Sequence, residues 1–373
     1  MKILYSCLSK SWGGMEMFTL NAVKQLLKKN IAVELLCINE SRIHIEASNL
    51  GLIPHPLKIW GKIHPLGSLK TAALINKNDY DLIHTQASKD LWVLSPALGL
   101  IKKDIPLIFT KQMGSYIIKK DILHKWIYKK VTYACAISNA IKRNLIDTCP
   151  IDPGRVILLH NGIDTDVFSP LHGSREKIRN EFSIGEDKIL VGMLGRFSPG
   201  KGHEEFLSAA RELNRKYNNL IFMVVGEASR GENDYELRIK NLAHDFGLEN
   251  IVFTGFRSDT PEILSAMDIF VFPSHSEAFG IALTEAMAMG IPSVCSDSEG
   301  ILDIAIDGET SYLFENKNSS DLALKIEKLI VSPEKRIQFG KTSNKRAIEF
   351  FALDNLTDKI ISIYRKAIEE KVG

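Results

Sequence analysis

Glu277 and Glu285 enclose the run Ala278-Phe279-Gly280-Ile281-Ala282-Leu283-Thr284, which follows the apolar stretch Ile269–Phe272. That order predicts a strand over 269–272, a loop, and a helix over 281–289. Glu277 then sits at the mouth of the helix, with Glu285 about a turn and a half inside it. Amides around Phe279, Gly280 and Ile281 would point at an anion. A carboxylate on either side would accept hydrogen bonds from the hydroxyls of a ribose or hexose. Upstream, Gly195-Arg196-Phe197-Ser198-Pro199-Gly200-Lys201-Gly202 follows a second apolar stretch, Ile189–Met193. Its glycines allow close backbone approach, and Arg196 and Lys201 supply the fixed positive charge a diphosphate needs. Gly202 stands where a P-loop requires Ser or Thr, so the run is not that motif. Ser298-Glu299-Gly300 and Asp307-Gly308, turn residues after another apolar run, are expected to close the far wall.

The first half carries a weaker constellation. Gly13-Gly14-Met15-Glu16 lies between the first strand-like run and the first helical one, where paired glycines let a substrate approach a helix N-terminus. It lacks the Gly-x-Gly-x-x-Gly spacing of a dinucleotide site. His84 and Gln86 end a strongly apolar run, followed in sequence by Lys111-Gln112-Met113-Gly114-Ser115 and Lys119-Lys120-Asp121. Gln86 can hydrogen-bond a sugar hydroxyl but does not transfer protons.

These residues need elements to hold them. Apolar runs at 3–7, 33–38, 82–85, 107–110, 134–138 and 156–159 alternate with helical patterns such as Phe18–Lys29, and the alternation restarts with 189–193, 221–225, 251–254, 269–272 and 293–295. Near-continuous apolar runs are those of parallel strands covered on both faces. The expected fold class is therefore α/β, with two doubly wound Rossmann-like domains facing across a cleft. The Pro/Gly/Ser-bearing stretch 168–174 suggests a first domain over 1–169 and a second over 170–373, with a last helix over about 355–371 packing back on the first.

A chain of 373 residues with 45% hydrophobic and 25% charged residues is of the ordinary globular kind and long enough for two cores. No apolar run reaches the roughly 18 residues of a membrane span, and the first residues read as a core strand rather than a leader. Five widely spaced cysteines, Cys7, Cys37, Cys135, Cys149 and Cys295, argue for buried thiols in a cytoplasmic protein. The net charge of +2 hides an asymmetry: residues 1–172 hold 22 Lys and Arg against 13 Asp and Glu. The basic excess concentrates between Lys102 and Arg143, as expected of a surface meeting anionic lipid or an anionic glycan. Little aromatic interleaving there argues against nucleic acid.

The Glu277–Glu285 segment resembles the two-glutamate motif of glycosyltransferase family 4, whose members adopt the B-type glycosyltransferase (GT-B) fold. The likeness runs along the whole chain: Gly13-Gly14-Met15-Glu16, Asn161-Gly162-Ile163-Asp164 with Phe168 and Pro170, Gly195-Arg196 with Lys201-Gly202, and Gly226-Glu227. The resemblance implies a retaining transferase that moves sugar from a nucleoside-diphosphate sugar to a hydroxyl of a glycan or glycolipid. By the same resemblance, Arg196, Lys201 and Glu277 are the catalytic residues. Donor contacts fall to Gly14, Gly195, Gly226, Phe256, Phe279, Gly280, Ile281 and Glu285. The acceptor side has Gly13, Glu16, His84, Gln86, Lys111 and Lys120. Many relatives carry His-x-His where this chain has His84-Thr85-Gln86, so the reacting-sugar histidine is replaced. No His/Cys cluster has metal-ligand spacing, and the expectation is a metal-independent enzyme with no cofactor beyond the donor. Bacterial cell-surface polysaccharide or lipopolysaccharide synthesis, at the inner face of the membrane, is the implied setting. The alternatives are a sugar-nucleotide epimerase on the same fold and a non-catalytic sugar-nucleotide-binding subunit.

Overall fold

The computed structural model describes residues 1–59, 64–171, 174–229 and 231–372. They divide into two compact units, Met1–His160 with Leu353–Gly373, and Asn161–Ala352. The chain enters the second unit ahead of the stretch 168–174, of which residues 172–173 lie outside the described residues.

The first unit is built on a seven-stranded sheet in the order β3-β2-β1-β4-β5-β6-β7. The strands are β1 (Lys2–Cys7), β2 (Ala32–Ile38), β3 (Ile53–Leu57), β4 (Leu82–Thr85), β5 (Leu107–Lys111), β6 (Val131–Ala136) and β7 (Val156–Leu158). Every pairing is parallel. Helices on the faces bury the strands on both sides, which is why β1 and β4–β6 read as unbroken apolar runs. β3, Ile53-Pro54-His55-Pro56-Leu57, escaped the periodicity because its prolines mimic a loop. It is an edge strand, where a missing N–H is tolerated.

The second unit has a six-stranded parallel sheet in the order β10-β9-β8-β11-β12-β13. Its strands are β8 (Ile189–Leu194), β9 (Leu220–Val225), β10 (Ile251–Gly255), β11 (Ile269–Phe272), β12 (Ser293–Ser296) and β13 (Ser311–Phe314). The four-residue β13 was not expected; its half-buried pattern on the sheet edge leaves little periodic signal. Val191, Phe222, Val224, Val271 and Val294 form the core with Phe206 and Leu207 of the helix His203–Leu213 and Leu322 and Ile326 of Ser319–Ile330.

In both sheets the strand order reverses beside the first strand of the unit, between β1 and β4 and between β8 and β11. Loops leaving the carboxyl ends of two such strands diverge to opposite faces and leave a crevice, the usual ligand position in open α/β sheets. In the second unit, those are the two loops that carry Arg196, Lys201 and Glu277.

The last helix, Leu353–Val372, belongs to the first unit. Ile360, Ile363, Tyr364 and Ala367 enter the same core as Ile3, Tyr5, Leu82 and Tyr133. Tyr364 is fully buried and its hydroxyl bonds His84 Nδ1 at 2.5 Å. Tyr364→Ala would remove an aromatic ring from this core and leave a buried imidazole nitrogen without its partner. The expected cost is about 3–5 kcal/mol, read as a lower urea midpoint for the first unit; an unchanged midpoint would show that this helix does not hold the core.

Candidate active site

The glycines after β8 and β9 are there because of steric constraint. Gly195 N–H donates to Val225 O at 2.9 Å and Phe197 N–H to Glu227 O at 3.1 Å. Gly226 has φ +139°, and a Cβ on it would lie 2.1 Å from Gly195 O. Any side chain would push the two strand ends apart. Arg196 projects from this stitched segment, exposed, with Nη1 donating to Ser229 Oγ at 2.9 Å. The chain then turns through Gly200 (φ +86°) and Gly202 (φ +79°) into the helix His203–Leu213. A Cβ on Gly202 would lie 2.1 Å from Pro273 O, so this turn is pressed directly onto the loop leaving β11.

Polar contacts complete that junction. His275 N–H donates to Gly200 O at 2.8 Å, and Ser274 Oγ to the same oxygen at 3.4 Å. The Lys201 ammonium pairs with Glu277 Oε1, which also accepts from Ser274 Oγ at 2.9 Å. His275 Nε2 meets Glu205 Oε1 at 2.8 Å. Behind the loop, Ser298 Oγ donates to Ser274 O at 3.1 Å and Gly300 N–H to Glu277 O at 3.1 Å. A Cβ on Gly300 would fall 2.5 Å from Ala278 O. Ser298-Glu299-Gly300 thus backs the loop. Sequence reading gave no role to Ser274 and His275, although they precede Glu277 in the loop, and did not single out Glu205 in the first turn of the helix His203–Leu213, because isolated polar residues carry no periodic signature.

The helix Ile281–Ala288 starts after Gly280, whose φ of +120° suits glycine and whose position has no side-chain cap. Its first-turn amides therefore have no intrahelical acceptor and face the loop. Phe279 is buried, its ring set edge-on to Phe351 at 5.7 Å, so what it offers a ligand is backbone. Ile281 lies on the first turn and Glu285 one turn further, half-buried, its carboxyl without a hydrogen-bond partner among the described residues. Desolvation pushes the Glu285 carboxyl up to about 8. Phe256, at the end of β10, is 68% exposed. Arg257 beside it is held by Glu181 and Asp259 at 2.5 and 2.7 Å.

The first unit is arranged differently. Gly13 is the cap of the helix Gly14–Lys28, and Glu16 in its first turn is buried. Below that loop, the buried Asp90 accepts from Leu8 N–H and Ser6 Oγ at 3.0 Å and from Thr85 Oγ1 at 2.9 Å. His84, Gln86 and Lys111, read from sequence as acceptor-side residues, are enclosed instead. Gln86 is 2% exposed, donates to the Tyr5 hydroxyl and accepts from Gln112 Nε2 at 2.7 Å. His84 bonds Tyr364 and Thr110, and burial pulls its pKa down to about 3, leaving a neutral ring. Lys111 Nζ donates to Asn144 Oδ1 at 2.7 Å, and burial lowers its pKa. The reason is common to all three: each sits at or just past the end of a central strand, where packing outweighs exposure. Lys120 alone of the lysine candidates is exposed.

Two Asp-x-Asp tripeptides occur, Asp79-Tyr80-Asp81 and Asp164-Thr165-Asp166. Asp81 accepts from Lys2 N–H and Asp164 from Asp166 N–H, both at ordinary turn and strand-end positions. Among the described residues no group of three or more His, Cys, Asp or Glu is placed to hold a metal ion.

Residues 12–167 match the family model "Glycosyltransferase Family 4" and residues 174–346 match "Glycosyl transferases group 1". The chain is 25% identical, over 81% of its length and 69% of the relative's, to a D-inositol 3-phosphate glycosyltransferase of Gordonia bronchialis. It is 26% identical, over 66% of each, to the capsular polysaccharide biosynthesis glycosyltransferase CapM of Staphylococcus aureus. The crystal structure of Anabaena HepE in complex with UDP has the same fold, with a TM-score of 0.87 at 22% identity over 98% of this chain and 100% of that one.

Glu285 gives this site a pH signature. Its carboxyl titrates near 4.5 when unfolded and near 8 when folded. The folded state therefore holds the extra proton between those values, and stability falls as pH rises through that window. Glu285→Gln removes the titration, so the melting temperature of the variant should exceed that of the wild type by a margin that grows from pH 5 to pH 8. A constant margin across the range would contradict the burial assigned to Glu285.

Proposed function

Because this chain belongs to the group 1 glycosyltransferases of family 4 and has their GT-B fold, we propose that it transfers a sugar from a nucleoside-diphosphate donor, with retention, at the crevice between the β8 and β11 loops of its second unit. The observation carrying this reading is the Lys201–Glu277 ion pair, set where the strand order reverses, with Arg196 on the same loop after β8. In the free enzyme Lys201 neutralises Glu277. When a donor enters, Lys201 and Arg196 take the diphosphate, and Glu277 is released to accept from sugar hydroxyls. Charge then develops on the departing diphosphate in front of two cations and the uncapped amides at 281–283. Such preorganised groups stabilise a leaving group without a metal ion. Glu285 accepts from the ribose hydroxyls, which favours its ionised form and releases a proton. Gly195 and Gly226 allow the close approach, and the Phe256 turn lies toward the base. The HepE complex with UDP supports a uridine nucleotide as the first donor to try.

The acceptor hydroxyl belongs to a glycan or glycolipid of the bacterial surface, at an anionic membrane face. The CapM likeness and the basic excess of residues 102–143 support this. Gly13, Glu16 and Lys120 are the acceptor-side residues this reading retains. With Gln86 in an internal network, no imidazole acts at that position.

A thermal-shift panel of UDP-, GDP- and ADP-sugars should show one class stabilising the protein, followed by product analysis with that donor. Arg196→Ala and Lys201→Ala should each lower turnover by about 10²–10³-fold, on the scale of losing one preorganised donor, with unchanged circular dichroism; near-normal turnover in either would overturn the diphosphate assignment. Transfer should also persist in excess EDTA, and its loss there, restored by a divalent cation, would replace the metal-free reading.

A further inference from the structure

The segment 113–130, between β5 and β6, breaks the pattern of the rest of the surface. Seven large apolar side chains are exposed within residues 113–126, among them Tyr116 at 98%, Ile122 at 87%, Ile117 at 70% and Ile118 at 69%. Isolated exposed apolar residues are unremarkable, but a contiguous group marks a surface that meets something. The segment carries five lysines, Lys119, Lys120, Lys125, Lys129 and Lys130, against the single acid Asp121.

The segment is built to hold that face outward. Asp121 caps the short helix Ile122–Tyr128, accepting from Leu123 and His124 N–H at 3.1 Å, and its other oxygen meets His124 Nδ1. The opposite side of the helix is pinned: Ile127 and Tyr128 are buried, Ser95 Oγ donates to Ile127 O at 2.7 Å, and Tyr128 lies edge-on to Phe109. Lys119 N–H donates to Thr148 O at 2.6 Å, tying down the loop before it. The one acid is consumed by the cap, while Lys120, Lys125, Lys129 and Lys130 have no ion-pair partner among the described residues. Past the helix, Lys129 and Lys130 line a cavity of about 540 Å³ together with Lys102, Lys103, Arg155 and Lys371, with Asp104 and Glu370 offsetting part of the charge.

We propose that residues 113–130 form a docking surface for an anionic lipid bilayer, with Ile117, Ile118, Ile122 and Trp126 entering the headgroup–acyl boundary and Lys125, Lys129 and Lys130 meeting lipid phosphates. The charge selects this occupant. A second copy of the chain would bring the same unpaired lysines against themselves, whereas an anionic bilayer supplies both the apolar layer and the counter-charge. Tyr116 and Trp126 are amphipathic side chains suited to that boundary, and lysine stems reach across it. No helix among the described residues is long and apolar enough to cross a membrane, and the proposed contact is interfacial. The inference deepens, and rests on, the membrane-face part of the function proposed above.

The test is co-sedimentation of the full chain with vesicles of phosphatidylcholine, with and without phosphatidylglycerol, at low and high salt. Two variants accompany it, Ile118→Asp/Ile122→Asp and Lys125→Glu/Lys129→Glu, neither touching the donor site. Wild type should partition at least about tenfold more into anionic vesicles at low salt, the unpaired lysines being drawn to the anionic surface. Both variants should lose that preference and keep the wild-type thermal shift with the stabilising nucleotide sugar. If wild type fails to sediment with anionic vesicles, the membrane-face reading and this surface fall together. Variants that sediment like wild type would leave that reading standing and overturn the surface assigned here. A concentration-dependent dimer abolished by Ile118→Asp/Ile122→Asp would likewise overturn it, giving the face to a second copy.

Discussion

The contact between Gly202 and the carbonyl of Pro273 governs the second unit's site. A Cβ at 202 would lie 2.1 Å from that oxygen, closer than any side chain allows, and the glycine also adopts φ +79°. The turn after β8 can therefore rest on the loop after β11 only because residue 202 has no side chain. From that contact follow the reach of Lys201 to Glu277 and the hydrogen bonds of His275 and Ser274 to Gly200 O. Gly226 against Gly195 repeats the device one strand away. Sheet topology brings the two loops to the same crevice, and missing side chains let them touch.

The two units treat their polar groups in opposite ways. In the first, Tyr5, Gln86 and Gln112 form one internal network and His84, Tyr364 and Thr110 another, all buried. Such networks fix a core and leave little for a substrate. In the second, the charges around the crevice are held loosely. Arg196 has one hydroxyl partner, Lys201 one carboxylate, and the Glu285 carboxyl is largely desolvated and accepts no hydrogen bond among the described residues. In the function proposed above, an incoming diphosphate and its sugar hydroxyls take over these groups.

The surface of the first unit shows the same economy. Its basic excess is not spread evenly. Around the helix Ile122–Tyr128 it is combined with apolar side chains that no other part of the described chain covers, while the helix's inner side is anchored at Ile127 and Tyr128. A rigid element presenting unsatisfied apolar and cationic groups together is a surface whose stability depends on what it meets.

The sequence alone determined the βα alternation, most of the strands and the two-glutamate motif with its Gly-Arg and Lys-Gly partners, because periodicity and glycine punctuation are local properties. It did not reveal β3, whose prolines look like a loop until a neighbouring strand pairs with it, nor β13, whose four residues are too few to show a period. Exposure was equally out of reach. His84, Gln86 and Lys111 are chemically capable residues, and only packing decided that they would be enclosed. Lysines were countable along residues 102–143, yet only the folded chain put Ile117, Ile118 and Ile122 outside among them. Residue type and spacing fix what a side chain can do. Whether its polar atoms are free to do it depends on neighbours distant in sequence, and those are set by tertiary structure.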